Sequence, residues 1–410
     1  MRPKQYTITR RTVHVYAEYL CQRYIRLKDH GPKCTAGVLW AVLFWAAARI
    51  SSLAAACATL RAAPSDTAAH DALLATLPAI AELQRRLNRA LQGDLPKALR
   101  RRRQPLAIDL KLVPYHGEPL RDADEVYRSQ ARDGTSHFHA YATAYVIRHG
   151  QRFTVALTRV TKGQPLQQVI RALLRQAARA GVRPRYLLLD RGFCSVRVVR
   201  YLQRARYPFL MPLVLRGRKA DHPRGPSASR VFAAWKRSGW SRYTMTSGTK
   251  ERATVNVCVK CRNRSGERGK HGREALVYAY GGGLVPGSYQ WVKDTYRQRF
   301  GIEASYRQLE QARIRTSTRD PLLRLLYVGV ALILRNVWAW LHWEVLSRPR
   351  RGGRRIDLGQ LTFRGMLLWL QHYAEEWLGL HEELQAQHSV WGLMPLATEH
   401  RNRNRLKLLL

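Results

Sequence analysis

Cysteines and long apolar runs are both scarce in this sequence, and each shortage argues against a class of protein. The six cysteines in 410 residues show no disulfide-framework spacing, which is typical of a protein that folds in a reducing compartment. Only Cys258 and Cys261 form a CxxC pair, and one such pair inside a strand-like segment is weak evidence for zinc. The apolar stretches 36–60 and 322–346 are interrupted by arginines, which favours buried helices over membrane spans. No apolar run directly follows the basic residues 1–11, so a signal peptide is not expected.

Acidic residues are scarce as well. The chain has 71 Lys and Arg against 28 Asp and Glu, a formal net charge of +43. Such an excess predicts a polyanionic partner, because opposite charges attract over the whole surface. The basic residues run through the entire chain and do not gather beside an apolar anchor, which favours nucleic acid over a membrane surface.

The first hundred residues have helical spacing of apolar side chains and no strand-like alternation. They predict a helical N-terminal domain over residues 1–100, to which position and charge assign a role in DNA binding. The basic run Lys97–Arg103 closes this region. The run is equally consistent with a site that grips phosphates and with a solvated linker.

From Leu106 the pattern changes to that of an α/β domain. The spacing predicts three strands, a helix, a strand, a helix and a strand. In chain order these elements cover residues 106–113, 138–148, 152–160, 166–180, 185–189, 195–206 and 208–215. This order predicts a mixed sheet covered by helices.

The remainder of the chain predicts an insertion followed by helices. Residues 216–288 have short alternating stretches that predict a β-rich insertion, and helical spacing resumes over 289–313 and 321–346. The α/β domain, with this insertion, is therefore assigned to residues 101–346. A basic linker and a C-terminal helical segment make up residues 347–410.

Two aspartates lie on or at the end of apolar strands. Asp109 is inside the strand Leu106–Leu110, where burying an unpaired carboxylate would cost several kcal/mol. Asp190 follows the strand 186–189, and ligands gather at strand ends in sheets of this kind. Each also has a structural interpretation. Asp109 could pair with a buried arginine, and Asp190 could accept a hydrogen bond in an Asp-x-Gly turn.

A third candidate site lies in the segment 296–307. On a helix, Tyr296, Arg299 and Glu303 are three and four residues apart and share one face, which could present a carboxylate, a guanidinium and an aromatic ring together. An ordinary exposed ion pair between Arg299 and Glu303 would have the same spacing. The spacing alone leaves both interpretations open.

Taken together, these motifs resemble the DDE transposases of prokaryotic insertion sequences that carry a Tyr-x2-Arg-x3-Glu signature. The resemblance covers roughly residues 100–345 and rests on three motifs. They are Ile108-Asp109-Leu110 followed by Pro114-Tyr115-His116-Gly117, then Leu189-Asp190-Arg191-Gly192-Phe193, and then Tyr296, Arg299 and Glu303.

The resemblance implies an RNase H-like catalytic domain in which Asp109, Asp190 and Glu303 are both the catalytic residues and the metal ligands. It implies two Mg²⁺ ions, with Mn²⁺ as a substitute, because converging carboxylates repel one another unless cations neutralise them. His116, His137 and His139 are not expected to bind metal, since such sites favour oxygen over imidazole.

The implied activity is cleavage of transposon ends followed by joining of the freed 3′ hydroxyl to target DNA. Tyr296, Arg299, Arg307 and Arg313 are the expected DNA-binding residues. The implied partners are transposon-end and target DNA, a second copy of the chain in a synaptic homodimer, and no membrane. The expected location is the cytoplasm, in association with the nucleoid.

The chain departs from the family pattern at one position. Family members often carry a Lys seven residues after the Glu, and Glu310 stands there in this chain, with Arg307 or Arg313 as possible substitutes. Two other functions therefore stay open. One is a catalytically inactive or domesticated DNA-binding relative, and the other is a structure-selective nuclease on the same fold.

Overall fold

The computed structural model of the protein describes residues 7–120, 122–148, 152–215, 228–233, 235–263, 273–299, 307–351 and 353–381. Glu303, the segment 216–227 and the chain beyond residue 381 lie outside these ranges. The expectations that fall on them concern a catalytic Glu, the start of the insertion and the end of the C-terminal segment.

Helices occupy the first hundred residues, as the apolar spacing predicts. They are α1 (Arg10–Ile25), α2 (Ala36–Arg49), α3 (Leu53–Thr59), α4 (Asp66–Thr76), α5 (Ile80–Gln92) and α6 (Lys97–Arg101). The first four each begin after a Ser or Thr whose hydroxyl accepts a hydrogen bond from the backbone N–H of the third helical residue. α2 is buried along most of its length and forms the centre of this helical layer.

The described strands form one large mixed sheet. They are β1 (Gln104–Pro114), β2 (Tyr127–Arg132), β3 (Thr135–Val146), β4 (Thr154–Val160), β5 (Pro184–Leu189), β6 (Phe209–Pro212), β7 (Gly239–Thr246), β8 (Arg252–Asn263) and β9 (Arg273–Gly281). Within the described residues the strand order is β2-β3-β1-β5-β6-β9-β8-β7, and β4 pairs with β3. β5 is parallel to both β1 and β6, whereas β3 is antiparallel to β1. The predicted mixed α/β sheet is confirmed.

The β-rich insertion continues this sheet. β9 pairs antiparallel with β6, and β8 and β7 follow in turn, so the insertion extends the catalytic sheet. The structure also contains β2, which the apolar pattern does not predict. β2 is a largely exposed strand that joins β3 through Asp133 and Gly134, both with positive φ, the conformation that hairpin turns require.

Helices cover both faces of the sheet. They are α7 (Leu166–Arg179), α8 (Val196–Arg204), α9 (Ala228–Ala233), α10 (Tyr289–Arg297), α11 (Pro321–Trp340) and α12 (Phe363–Leu378). Alternate residues of β1 separate two apolar clusters, because successive side chains of a strand point to opposite faces. Leu106 and Ile108 belong to the main core, whereas Ala107 packs in a smaller cluster with Val292 and Tyr296 of α10.

α11 joins the N-terminal helices to the sheet. The Asn336 side chain donates to the carbonyls of Leu91 in α5 and Thr154 in β4, at 3.1 and 2.8 Å. Asn88 of α5 similarly donates to the Leu157 carbonyl and accepts from its N–H, both at 2.8 Å. The N-terminal helices therefore share a core with the sheet, and the assigned domain boundaries stay a prediction.

The segment Pro321–Leu346, which consists of α11 and the turn after it, has the length and apolar composition of a helix that crosses a membrane. However, 89% of its most apolar window is buried inside the protein, as a core helix would be. A π-helical turn, Leu341–Leu346, ends the segment. The short hairpin of β10 (Arg348–Arg350) and β11 (Gly353–Arg355) follows, and α12 then packs back on α2 and α1.

Candidate active site

The register of two parallel strands brings the predicted aspartates together. Ile108 of β1 pairs with Leu189 of β5, and an aspartate directly follows each of these two residues, so both aspartates lie at the same edge of the sheet. Asp109 is still within β1, whereas Asp190 is the first residue beyond β5. A carboxylate pair is thus built by backbone hydrogen bonding between neighbouring strands.

A guanidinium lies between these two carboxylates. Arg299 Nη1 is 3.7 Å from Asp109 Oδ2, and Arg299 Nη2 is 3.4 Å from Asp190 Oδ1. The Arg299 side chain is only 8% exposed, against 14% for Asp109 and 44% for Asp190. The pair is therefore open to solvent from the Asp190 side.

The charge of Arg299 is maintained by its neighbours. Burial lowers the pKa of this guanidinium, but Tyr296, Asp190 and Asp109 raise it, and the net result is a pKa above the ordinary value. One oxygen of Asp109 is also fixed, since its Oδ1 accepts a hydrogen bond from the Leu110 N–H at 2.8 Å. The Arg299 guanidinium therefore stays charged at neutral pH.

The Tyr296 ring packs against the Arg299 guanidinium. This ring is 5.5 Å from the Arg299 Cζ and 5.2 Å from the Tyr278 ring, and the residue is 6% exposed. Burial raises the pKa of the Tyr296 hydroxyl, so this group stays protonated at neutral pH. In this conformation Tyr296 positions Arg299, and its contact with DNA stays a prediction.

The helix that carries Tyr296 is shorter than its spacing predicts. α10 ends at Arg297, so Arg299 lies in the turn that follows, and residues 307–311 are helical again. Glu303 lies outside the described residues, and its place beside the aspartates stays a prediction. Arg307 and Arg313 are both exposed, as DNA-binding residues need to be.

Glu310 is neutralised by two cations. Its carboxylate lies 2.6 Å from the Lys111 Nζ and 3.2 Å from Arg313 Nη1, and these cations outweigh burial to lower its pKa. Lys111 is two residues after Asp109 on β1, so both side chains lie on one face of the sheet. The Asp-x-Lys alternation in this strand could have predicted that Lys111 lies beside Asp109. It does not predict the pairing with Glu310, which is distant along the chain.

The carboxylates fit a hard divalent cation. Asp109 and Asp190 offer oxygen ligands only, which is the donor set that Mg²⁺ prefers, and they already hold a positive group between them. Among the residues that the structure describes, no cluster of three or more His, Cys, Asp or Glu could hold a metal ion. A complete site would therefore need a further ligand, and Glu303 is the predicted one.

The other candidate metal ligands do not converge. Cys258 is buried in the cluster with Ala107 and Tyr296, whereas Cys261 packs against the main core on the opposite face of β8. Burial raises the pKa of the Cys258 thiol to about 12, which disfavours a thiolate ligand. His139 is buried, and burial together with Arg324 and Arg159 lowers its pKa to about 3.

Comparisons with known proteins identify a family and a similar solved structure. The family described as Transposase DDE domain matches residues 100–336. No curated protein matched the sequence. Among solved structures, the cryo-electron microscopy structure of the piggyBac transposase synaptic complex with hairpin DNA is similar, with a TM-score of 0.53 and 11% identity over 91% of this chain and 83% of that chain. At this identity the likeness shows a shared fold.

The matched region begins just before β1 and ends within α11. It includes both aspartates, the arginine between them and the sheet that aligns them. The match spans more than half of the chain, and the protein belongs to the Transposase DDE domain family.

Proposed function

We propose that this transposase cleaves transposon ends and joins them to target DNA by metal-dependent hydrolysis and transesterification. The observation that carries the proposal is the carboxylate pair Asp109 and Asp190, aligned by two parallel strands around Arg299. Family membership supports the same chemistry. The resemblance of the signature residues implies that Glu303 completes the set.

Asp109, Asp190 and Glu303 are the proposed ligands of two Mg²⁺ ions, for which Mn²⁺ would substitute. When bound, the metal would supply activation of the attacking oxygen and stabilisation of the leaving oxygen. The Leu110 N–H fixes Asp109 Oδ1, which leaves Oδ2 directed toward the cation that lies between the aspartates. Tyr296 packs against the buried Arg299 guanidinium between the aspartates, and this planar fork can donate two hydrogen bonds to a phosphate that enters from the Asp190 side.

A groove lined by four cations and by the carboxylates of Asp94 and Glu344, called here the basic groove, offers a path for DNA. The exposed basic run of α6, with Lys97, Arg100 and Arg101, lines one side of this groove. Trp343 and Arg354 line the other side, with the Arg354 Cζ 5.8 Å from the Trp343 ring. Two basic segments that are about 250 residues apart in the sequence thus meet in one place, which supports phosphate binding by the run 97–103.

The assembly and location follow from the same proposal. Pairing of two transposon ends needs a homodimer, and the proposed site of action is DNA in the cytoplasm, at the nucleoid. The piggyBac complex was itself determined as a synaptic complex with hairpin DNA.

The test is cleavage and joining of labelled DNA that carries the element's own ends, with Mg²⁺ and then with EDTA. We expect Asp109→Asn and Glu303→Gln to lose both activities while they retain end binding. Asp71→Asn is the matched control, since Asp71 is 65% exposed and lies on α4. Retained cleavage in both site variants would refute the assignment. Binding without cleavage by the wild type would indicate a non-catalytic relative, and cleavage without joining would indicate a nuclease.

A further inference from the structure

A partly enclosed pocket lies beside the carboxylates on the same face of the sheet. Lys111 of β1 and Tyr141 of β3 are paired residues in its wall, and His139 is the next residue of β3 on that face. At about 3.3 Å per residue, Lys111 is roughly 7 Å along β1 from Asp109. We call this the Tyr141 pocket, and it is closed by Arg313, Arg324 and the Glu310 carboxylate.

Buried polar groups in the Tyr141 pocket lack hydrogen-bond partners. Tyr141 is 1% exposed and His139 is 2% exposed. Within the described part of the chain, the Tyr141 hydroxyl and both ring nitrogens of His139 have no partner. A buried polar group without a hydrogen-bond partner destabilises the fold, because it has lost its hydrogen bonds to water. A polar occupant of the pocket would remove this destabilisation.

The pocket also contains a buried cation without a counter-anion. Arg324 is 8% exposed, its Nε donates to the Thr318 carbonyl at 2.7 Å, and its Cζ is 4.8 Å from the Tyr115 ring. Burial lowers the pKa of Arg324, and no carboxylate among the described residues forms an ion pair with it. A buried charge needs a partner of opposite sign.

The charge balance of the pocket indicates the class of ligand. Lys111, Arg313 and Arg324 contribute three cations, and the carboxylate of Glu310 is the acidic group among the residues that line it. The excess positive charge disfavours a metal ion. The space, about 40 Å³, exceeds what one water molecule needs and so admits a small polyatomic anion.

We propose that the Tyr141 pocket binds a phosphate group, either free or carried by a DNA strand. Arg324 and Lys111 provide the charge, while the Tyr141 O–H and an N–H of His139 donate hydrogen bonds. The tetrahedral oxygens of phosphate can accept from donors on several walls at once. His139 can serve in its neutral form, because its low pKa leaves one ring nitrogen protonated and one free at neutral pH.

The first test is calorimetric titration of the full chain with inorganic phosphate at constant ionic strength. Tyr141→Phe removes only the hydroxyl, and we expect it to weaken phosphate binding about tenfold without lowering stability in phosphate-free buffer. Tyr186→Phe is the matched control, as Tyr186 is 8% exposed and packs in the other apolar cluster. Absence of phosphate binding to the wild type, or equal binding by wild type and Tyr141→Phe, would overturn the proposal.

The second test identifies the source of the phosphate and rests on the proposed function, whereas the titration does not. Transposon-end duplexes with either a 5′ phosphate or a 5′ hydroxyl are bound to wild type and Tyr141→Phe. If Tyr141→Phe loses affinity only for the duplex with the 5′ phosphate, the pocket binds a terminal phosphate. If it loses affinity equally for both duplexes, the pocket binds a backbone phosphate. If Tyr141→Phe loses affinity for inorganic phosphate but for neither duplex, the pocket binds free phosphate. If cleavage fails but the titration succeeds, the proposed function is wrong and the pocket stands.

Discussion

Arg299 is held by the groups that are proposed to bind metal. Its guanidinium lies 3.4–3.7 Å from the two aspartates, so a divalent cation must share or displace this contact. Phosphate can reach the same guanidinium from the exposed Asp190 side. We infer that Arg299 neutralises the carboxylates before metal and DNA arrive.

Arg299→Gln tests two proposed roles of this arginine, neutralising the aspartates and binding phosphate, because the substitution should affect Mg²⁺ binding and the cleavage rate in opposite directions. Removing a positive charge from the metal site should lower the half-saturating Mg²⁺ concentration several-fold, because like charges repel. The maximal cleavage rate should fall at least about tenfold, because a bidentate phosphate contact is lost. The measurement is the cleavage rate as a function of Mg²⁺.

Arg297→Gln is the control for this change. Arg297 is exposed at the end of α10, two residues away, and its loss gives the same change in net charge. An unchanged Mg²⁺ dependence in Arg299→Gln would show that Arg299 does not share the metal site.

The sequence motifs predict which residues form the site, but not how Arg299 is used. Each motif is recognisable in the sequence because it is local, and the structure brings Asp109, Asp190 and Arg299 together, whereas their catalytic and DNA-binding roles stay predictions. The contact of Arg299 with both aspartates depends on the register of β1 and β5, which local patterning does not determine. The same reason explains why the pairing of Lys111 with Glu310 is not predictable.

At the scale of elements, a pair of glycines fixes the junction between β9 and β6. Gly282 has φ +64, and a Cβ there would lie 1.8 Å from the Tyr207 carbonyl oxygen. Gly283 has φ +89 but no atom within 4 Å of the corresponding position. Both need the left-handed conformation, and only Gly282 also needs the close approach.

Gly282→Ala should therefore destabilise the protein far more than Gly283→Ala. The Gly283 change costs about 1–2 kcal/mol for the backbone conformation alone. The Gly282 change adds a clash with backbone, and we expect a total above about 4 kcal/mol. Urea unfolding followed by circular dichroism measures both, and equal destabilisation would contradict the close packing of this junction.

The elements themselves were predictable where apolar periodicity is strong. The strands 184–189 and 154–160 and the helix 166–179 match their predicted positions within a few residues. The two strands are short apolar runs buried on both faces, and the helix has one buried face. β2 was missed because its side chains are mostly exposed and polar, although its Asp133-Gly134 turn is a usable signal. The continuation of the sheet into β7–β9 depends on long-range pairing, which periodicity does not reveal.

At the scale of the whole molecule, the net charge of +43 comes from many basic residues, and we expect only some of them to contact DNA phosphates. The basic groove combines clustered cations with a tryptophan, whereas the exposed arginines of α7 do not line this groove. Non-specific attraction depends on total charge, but phosphate contacts depend on position.

Replacing Lys97, Arg100 and Arg101 together by Gln should reduce the salt dependence of DNA binding. Each lost phosphate contact lowers the slope of log K against log salt by about 0.9, so a reduction of about 2–3 is expected. Replacing Arg175, Arg179 and Arg183 by Gln removes the same charge from exposed positions at α7 and the loop after it. Equal slopes for the two triple variants would contradict a DNA path through the groove.

The carboxylate pair has a consequence for how such a chain can evolve. Its spacing is set by backbone pairing of Ile108 with Leu189 and does not depend on the length of chain that connects the two strands. The segment between β6 and α10 adds its own strands at the far edge of the sheet, beyond β6. A lineage can therefore lengthen, shorten or replace its connecting segments and drift widely in sequence, while the distance between the two carboxylates is inherited unchanged.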